Sequence, residues 1–399
     1  MLNTKFSPWP SFTQEEADKV SEVLLSNKVN YWTGQEGREF EREFAAYTDS
    51  KYAIALSNGT LALDLALVAL GIGARNGGSA TDEVIVTSRT FLASASAIVT
   101  AGARPVFADV NANSQNITAS TVSDVLTSNT KAIIAVHLAG LPCQMDELMA
   151  LADANNLVII EDCAQAHGAK YKGRSVGSMG HVGCWSFCQD KIMTTGGKGG
   201  MVTCNDESLW KKMWAYKDHG KSWDATYNKE HAPGFRWLHE SFGTNWRLTE
   251  MQSAIGRIQL GRMPEWFKLR GKYADIIAST CSAFECIRVP KVPDYVAHAN
   301  YKYYVFVRPE LLADGWGRDR IVDEVNALGV PCMQGSCSEV YLEKAFEGTG
   351  FVPHERLPVA RELGDTSLMF LVHPTLTIEE VSLTSLVIKK VFSKASKVI

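Results

Sequence analysis

Short apolar runs alternate with longer segments of helical periodicity between Lys51 and Cys204. The apolar runs predict seven strands, at Tyr52–Leu56, Glu83–Thr87, Arg104–Ala108, Lys131–His137, Leu157–Glu161, Val182–Phe187 and Gly200–Cys204. Segments between them predict helices, notably at Thr60–Leu70, Phe91–Ala101 and Met145–Asn155. Because crossovers connect alternating strands and helices, the pattern predicts an α/β fold with a mostly parallel sheet. Ligands of such sheets collect at the carboxyl ends of the strands.

The pattern changes after Cys204. Residues 222–240 show no clear period and predict a long excursion, whereas Leu248–Lys272 predicts one long helix that Pro264 kinks or breaks. A smaller α+β unit is predicted beyond it, from a strand at Tyr303–Val307 and helices at Arg318–Leu328 and Ile378–Phe392.

A chain of 399 residues is long for one domain, and 46% apolar residues can fill a large core. We therefore expect a large domain over residues 1–265 and a small C-terminal domain over residues 266–399. The N-terminal segment could join the small domain.

Composition excludes several classes of protein. No window of about 18 residues is apolar and uncharged, and the first eleven positions lack the features of a signal peptide, which predicts a cytoplasmic protein without membrane contact. The net charge of −4 offers no basic surface for nucleic acid. Nine cysteines without a repeated spacing indicate reduced thiols, so we expect no bound metal.

Candidate phosphate-binding groups follow the first strand. Ser57-Asn58-Gly59-Thr60 opens a predicted helix, where backbone N–H groups and a hydroxyl favour an anion. An ordinary capped turn is the better interpretation of this tetrapeptide taken alone. Gly243-Thr244-Asn245-Trp246-Arg247 similarly precedes the long helix, and Asn245 taken alone is simply a helix cap.

An acid and a lysine follow two later strands. Asp162 ends the run Leu157–Glu161, where a buried carboxylate needs a cation such as a pyridinium. A metal-binding, ribose-binding or capping acid explains it equally well. Lys191 follows Ser186-Phe187-Cys188-Gln189-Asp190 and precedes a glycine-rich loop, so it could be a nucleophile instead of a surface charge.

Several motifs together resemble one family. They are Tyr31-Trp32-Thr33-Gly34, Ser57-Asn58-Gly59-Thr60, Thr90-Phe91-Leu92-Ala93-Ser94, the stretch from Glu161-Asp162 to Ala169, Ser186 to Lys191, and Asn245-Trp246-Arg247. Their order resembles the DegT/DnrJ/StrS group of pyridoxal phosphate (PLP)-dependent nucleotide-sugar aminotransferases. The resemblance runs from about residue 15 to the C-terminus. It implies PLP fold type I, with a seven-stranded sheet in the large domain.

The resemblance implies a role for each cofactor residue. Lys191 would carry PLP as a Schiff base, and Asp162 would pair with the ring nitrogen. The remaining contacts are Gln165 near the ring hydroxyl, Phe91 on the ring face, and Gly59, Thr60 and Ser186 at the phosphate. Asn245 would reach the phosphate from another subunit, so a homodimer with active sites at its interface is expected.

Candidate substrate contacts are Thr33, His137, His219, Arg247, Ser336 and Tyr341. For His137 and His219 a structural histidine is an equally good interpretation, and for Arg247 a salt bridge is. Ser336 and Tyr341 belong to Val330–Tyr341, which the resemblance brings to the active site from the small domain. Core or hinge packing explains that segment equally well.

The sequence departs from the family at two positions. Lys198 stands where many members have an acid, and His181 stands where aspartate is frequent. Neither position belongs to the implied cofactor set. The departures therefore weaken the substrate assignment and leave the chemistry intact.

Relatives with histidine at the lysine position are dehydratases, so Lys191 favours amine transfer. L-Glutamate would be the donor, becoming 2-oxoglutarate. Lys191-Ile192-Met193-Thr194-Thr195-Gly196 resembles enzymes that act at C-4, which suggests a UDP- or dTDP-linked 4-keto-6-deoxyhexose used for surface polysaccharide such as lipopolysaccharide O-antigen. Alternatives are a C-3 keto sugar, another fold type I PLP enzyme, or a PLP-binding regulator.

Overall fold

The computed structural model describes residues 5–230 and 236–397. Its strands are β1 (Tyr52–Leu56), β2 (Glu83–Thr87), β3 (Arg104–Ala108), β4 (Thr130–Val136), β5 (Val158–Asp162), β6 (Lys170–Tyr171), β7 (Arg174–Ser175), β8 (Val182–Ser186), β9 (Gly200–Cys204), β10 (Ile287–Arg288), β11 (Val296–Ala297), β12 (Tyr303–Val307), β13 (Cys332–Met333) and β14 (Ser367–Phe370). Its helices are α1 (Gln14–Leu25), α2 (Glu36–Tyr47), α3 (Gly59–Ala69), α4 (Ala93–Thr100), α5 (Ala119–Ser123), α6 (Met145–Ala154), α7 (Glu207–Lys217), α8 (Trp223–Tyr227), α9 (Glu250–Cys281), α10 (Arg318–Ala327), α11 (Pro358–Thr366) and α12 (Ile378–Ala395).

A seven-stranded sheet forms the centre of the fold, in the order β1-β9-β8-β5-β4-β2-β3. Strands β8, β5, β4, β2 and β3 pair in parallel, and β9 runs antiparallel to both of its neighbours. The predicted α/β class with a mostly parallel seven-stranded sheet is confirmed. Every strand of the sheet matches a predicted apolar run to within about one residue at each end.

Alternate side chains of each strand enter two separate cores, one on each face of the sheet. In β4, Ile133 and Ala135 pack on one face with α6, whereas Ile134 and Val136 pack on the other with α3 and α4. Burial on both faces explains why these strands are continuous apolar runs in the sequence.

A third core lies in the C-terminal part of the chain. A four-stranded antiparallel sheet, in the order β10-β12-β14-β13, packs there with α10 and α12. A smaller three-stranded sheet has the order β11-β6-β7. The α+β character of this region matches the prediction, while the boundary between residues 265 and 266 remains a prediction.

The long helix α9 corrects one expectation and narrows another. It extends to Cys281 instead of ending at Lys272, and of the kink or break expected at Pro264 it excludes the break. Proline removes its own N–H bond and crowds the carbonyl four residues earlier, but buried Leu260 and Met263 keep this part of the helix in the core. The helix also packs on α1 and α2, which makes a break costly.

The predicted excursion over residues 222–240 contains one short helix, α8, that the sequence pattern did not indicate. Positions 231–235 of that excursion lie outside the described residues. All nine cysteines are free thiols, and seven of them are buried. Within residues 5–230 and 236–397, no helix is long and apolar enough to cross a membrane.

Candidate active site

A cavity of about 810 Å³ opens at the carboxyl ends of the parallel strands. Its walls come from the start of α3, the ends of β5 and β8, the loop before β9, and the C-terminal strands β12 and β14. Eight predicted site residues line it: Gly59, Thr60, Phe91, Asp162, Gln165, Ser186, Lys191 and Ser336. Met333 and Gly335 line it as well, so the segment Val330–Tyr341 reaches the cavity through its middle.

Lys191 lies in the irregular loop between β8 and β9. Its Nζ is 5.2 Å from the ring centroid of Tyr301, and its main-chain N–H donates to the Cys188 carbonyl at 3.0 Å. Within the described chain no carboxylate forms an ion pair with this amine. The neighbouring Asp190 accepts the Tyr301 hydroxyl at 2.5 Å. The Lys191 amine therefore lines the cavity without an ion-pair partner among the described residues.

Asp162 closes β5 at the bottom of the cavity. Its Oδ2 accepts the Ser94 hydroxyl at 2.8 Å, and its Oδ1 accepts the Ala164 N–H at 3.1 Å. The side chain is buried, yet no lysine, arginine or histidine of the described residues forms an ion pair with it. A buried carboxylate without a cation is costly, and a cationic ring nitrogen in the cavity would relieve that cost.

The start of α3 forms an anion-binding corner. Asn58 caps the helix, since its side chain accepts the Leu61 N–H at 3.0 Å. Gly59 approaches β8 so closely that an added Cβ would lie 2.5 Å from the Ser186 Cβ. This contact requires glycine and places Ser186 against the start of α3, where Thr60 also lines the cavity. The combination suits a phosphate.

Gln165, Phe91 and Ser336 lie around the rest of the cavity. The Gln165 Oε1 accepts the Ala139 N–H at 2.8 Å, which fixes the amide beside Asp162. Phe91 is 70% exposed, so its ring is open to stacking by a ligand. The Ser336 N–H donates to the Tyr304 hydroxyl at 2.9 Å.

Four predicted residues lie away from this cavity and close to Asp218. We call them the Asp218 patch: Thr33, His219, Asn245 and Arg247. Arg247 pairs directly with Asp218, and Asn245 forms a β-bridge with it. Thr33 follows Trp32, whose indole N–H donates to the Asp218 Oδ2 at 2.7 Å. Thr33, His219 and Asn245 are exposed on the surface of the chain.

The remaining two candidates are buried and do not line the cavity. The His137 Nε2 lies 3.0 Å from Glu161, and its Nδ1 lies 3.0 Å from the Cys143 backbone nitrogen, so both ring nitrogens are held inside the protein. The Tyr341 hydroxyl donates to Glu339 at 2.5 Å. Hydrogen bonds inside the protein therefore occupy the polar groups that would have contacted a substrate.

Two departures from the family pattern occupy different places. Lys198 lines the cavity, where its charge can act on a ligand. The His181 Nδ1 accepts the Ile159 N–H at 3.0 Å, so this side chain supports the edge of β5.

The sequence patterns missed part of the opposite wall. Tyr301, Lys302 and Tyr304 line the cavity at the start of β12. Burial, together with the cations Arg270 and Lys191, lowers the pKa of Lys302 to about 8. Three lysines, Lys191, Lys198 and Lys302, therefore line one cavity. The only local signal for Tyr301 and Lys302 was their position next to a strand, and it is the hydrogen bond from the Tyr301 N–H to the Ala139 carbonyl that ties this segment to the loop after β4.

One cavity thus combines an amine, an unpaired buried carboxylate, and a helix start beside a serine. These groups fit PLP, because its ring nitrogen, aldehyde and phosphate require a carboxylate, a lysine and an anion site. Asp162, Lys191 and the Gly59–Thr60 corner could hold them respectively.

Comparison with known proteins gives a consistent result. The model of the DegT/DnrJ/EryC1/StrS aminotransferase family matches residues 10–391. The GDP-perosamine synthase of Escherichia coli O157:H7 is 33% identical over 376 residues, covering 93% of this chain and 94% of that protein. A UDP-N-acetyl-3-dehydro-alpha-D-glucosamine 3-aminotransferase of Acidithiobacillus ferrooxidans is 33% identical, covering 98% and 96%. A solved aminotransferase from Psychrobacter cryohalolentis is 63% identical with a TM-score of 0.95, covering 97% and 99%.

Proposed function

The chain belongs to the DegT/DnrJ/EryC1/StrS aminotransferase family, and from this premise we propose that it aminates C-4 of a UDP- or dTDP-linked 4-keto-6-deoxyhexose. The coarser function is that of a nucleotide-sugar aminotransferase that depends on PLP. The amino donor in our proposal is L-glutamate, which leaves as 2-oxoglutarate.

The observation that carries the proposal is that one cavity contains the Lys191 amine and the Asp162 carboxylate, neither of which has an ion-pair partner among the described residues. When bound, PLP stores the amino group between donor and acceptor and withdraws electrons from the reacting carbon. Lys191 is the proposed base and acid that removes a proton from that carbon and returns it. Asp162 keeps the ring nitrogen protonated.

The other cavity residues bind and orient. Gly59, Thr60 and Ser186 are the proposed phosphate ligands, where the helix N-terminus adds its partial positive charge. Phe91 covers one ring face, and Gln165 lies near the ring hydroxyl. Ser336 and the charge of Lys198 are placed to contact the sugar or its nucleotide.

The Asp218 patch is the proposed contribution of a second copy. Asn245 is exposed and does not line the cavity of its own chain, so it would complete the phosphate site of a partner. Thr33, His219 and Arg247 would approach the partner's substrate from the same surface. The protein would then be a homodimer with both active sites at the interface.

The position of amination rests on the segment from Lys191 to Gly196, which resembles enzymes acting at C-4. A C-3 keto sugar is the second candidate, because a relative of nearly full length is named a 3-aminotransferase. We place the reaction in the cytoplasm, in the synthesis of surface polysaccharide such as lipopolysaccharide O-antigen.

The test supplies the holoenzyme with 15N-glutamate and matched 4-keto and 3-keto sugars linked to UDP, dTDP or GDP. NMR of the product locates the new C–15N bond. Labelled amine at C-4 is expected, and it should be absent with a Lys191→Ala enzyme. Amine at C-3 alone would replace the first candidate by the second, and transfer to neither ketone would contradict both.

A further inference from the structure

A tryptophan from the N-terminal segment contacts the backbone of the candidate catalytic lysine. The Trp9 indole N–H donates to the main-chain carbonyl of Lys191 at 2.8 Å. Lys191 lies on an irregular loop, where no strand or helix fixes its peptide. Its main-chain N–H is held by Cys188 within the same loop, so Trp9 supplies a bond to this residue from a distant element.

Trp9 is itself held by elements that are distant in sequence. Its ring meets Trp266 of α9 edge-on with the centroids 5.2 Å apart, and it stacks on His373 at 5.9 Å. The flanking residues are anchored too. The Ser7 hydroxyl donates to Glu380 at 3.1 Å, and the Pro8 carbonyl accepts the Thr375 hydroxyl at 2.7 Å. The segment is therefore fastened beside α12, and Trp9 projects from it to the lysine loop.

Arg270 connects Trp9 to the opposite side of Lys191. Its guanidinium carbon lies 5.2 Å from the Trp9 ring centroid, and its Nη1 donates to the Tyr301 carbonyl at 3.2 Å. The Arg270 Nε and Nη2 are buried, and no hydrogen-bond acceptor for them occurs in the described chain. The ring face of Trp9 therefore offers this cation a favourable contact. Tyr301 in turn bonds Asp190, the residue before Lys191, so contacts run from Trp9 through Arg270 and Tyr301 back to the lysine loop.

We propose that Trp9 is a positioning residue for Lys191, which holds the lysine peptide so that its amine keeps one orientation toward the cavity. The inference rests on the proposed function, because it concerns how Lys191 is aimed. Trp9 contacts neither the cavity nor the reacting atoms. Loss of its N–H should therefore change the environment of the Lys191 amine more than the binding of substrate.

The test compares Trp9→Phe with Trp266→Phe. The first removes the N–H donor and keeps an aromatic ring, while the second changes an indole of the same cluster that has no hydrogen bond to the lysine loop among the described residues. Both variants are purified with PLP, and the absorbance of bound PLP is titrated with pH. The rate of amino transfer from glutamate is measured in a single turnover at saturating glutamate.

Trp9→Phe should slow the single turnover by about 3- to 10-fold, the range expected for one lost hydrogen bond, with little change in the glutamate concentration that half-saturates the rate. Its PLP absorbance should titrate at a different pH from the wild type. Trp266→Phe should match the wild type in both. Wild-type behaviour of Trp9→Phe, or equal effects of the two variants, would overturn the inference.

Borohydride reduction and peptide mapping of the wild type separate this inference from the proposed function. PLP fixed to Lys191 together with an unaltered Trp9→Phe enzyme would overturn the inference alone. PLP fixed to a different lysine would overturn the proposed role of Lys191 and the inference with it. Trp9→Ala, which also exposes Arg270, should lower the melting temperature more than Trp9→Phe does.

Discussion

The cavity and the Asp218 patch both contain charged side chains, but the charges are arranged in opposite ways. In the cavity, Lys191 and Asp162 have no ion-pair partner among the described residues. In the patch, Asp218 pairs with both Arg247 and Lys221 and accepts the Trp32 N–H. Burial alone would raise the pKa of Asp218, but the bonds and charges of Arg247 and Lys221 lower it below the usual range.

The difference shows what each region is built for. An unpaired buried charge is costly and persists where a ligand completes it, whereas paired charges hold a surface in a fixed shape. We therefore expect changes in the cavity to affect the chemistry directly. Changes in the patch should act through a neighbouring molecule.

The largest effect is expected from Lys191→Ala. Without the amine, the proposed proton carrier is lost, so turnover should fall at least about 10³-fold while PLP still binds noncovalently. Stopped-flow absorbance during a single turnover with glutamate measures this loss. Lys198→Ala removes another lysine of the same cavity and should cost less than about 10-fold, since it acts only on the ligand's charge. If Lys191→Ala and Lys198→Ala lost comparable turnover, the proposed difference between a proton carrier and a ligand contact would be wrong.

Asp162→Asn should have the next largest effect. A neutral amide cannot keep the ring nitrogen protonated, so the rate of amino transfer should fall by about 10²- to 10³-fold. Ser94→Ala removes only one hydrogen bond to the same carboxylate and should cost about 2- to 10-fold. A full rate in Asp162→Asn would show that the unpaired carboxylate has no part in the chemistry.

Mixed subunits test whether the patch acts on a partner. Asn245→Ala should weaken PLP binding about 10-fold, the range for one charge-assisted hydrogen bond. Asn228→Ala, a change of another exposed asparagine, should leave PLP binding unchanged. Fluorescence titration of the apoenzyme measures both affinities.

Differently tagged Lys191→Ala and Asn245→Ala chains are then co-expressed, and the mixed species is purified. One of its two sites would have Lys191 from one chain and Asn245 from the other. Its PLP affinity at that site should return to the wild-type value with about half the activity. If the mixed dimers bound PLP as weakly as the Asn245→Ala protein does, Asn245 would belong to the site of its own chain.

The smallest effect concerns the contribution of the cavity residue Lys302 to stability. The pKa of Lys302 is about 8 in the folded protein, below its usual 10.5, so the unfolded chain binds more protons between these values. The free energy of unfolding should therefore rise as pH increases from 8 to 10.5. Lys302→Met should be more stable than the wild type at neutral pH by about 1–3 kcal/mol. That gain should disappear near pH 10.5.

Urea unfolding at several pH values measures this difference. Lys212→Met, on the exposed side of α7, should shift stability at no pH. If the free energy of unfolding changed with pH in the same way for the wild type and Lys302→Met, the burial of Lys302 would have no energetic cost. Lys302 would then keep the ordinary pKa of a lysine and be fully charged at neutral pH.

The amino-acid sequence by itself determined the central sheet and the groups at its strand ends. Continuous apolar runs specify strands buried on both faces, and residues directly after such strands must lie at one edge. Asp162 and Ser186 end such strands, and Gly59 and Lys191 follow them, so the sequence places all four at that edge. The resemblance of the motifs to one family then implies PLP as the cofactor.

Only the tertiary structure decided which distant segments complete or support that site. Trp9 comes from the N-terminal segment, and Tyr301 and Lys302 come from the C-terminal part of the chain. No local periodicity indicates that Trp9 bonds the Lys191 carbonyl or that Tyr301 and Lys302 line the same cavity as Lys191. The structure also separated Asn245 from the cavity and buried His137 against Glu161. Pro264 remained helical because packing on both sides outweighed its local preference. Contacts of this kind form between residues that are far apart in the sequence. They depend on how helices and strands pack in three dimensions, so a local sequence pattern does not specify them.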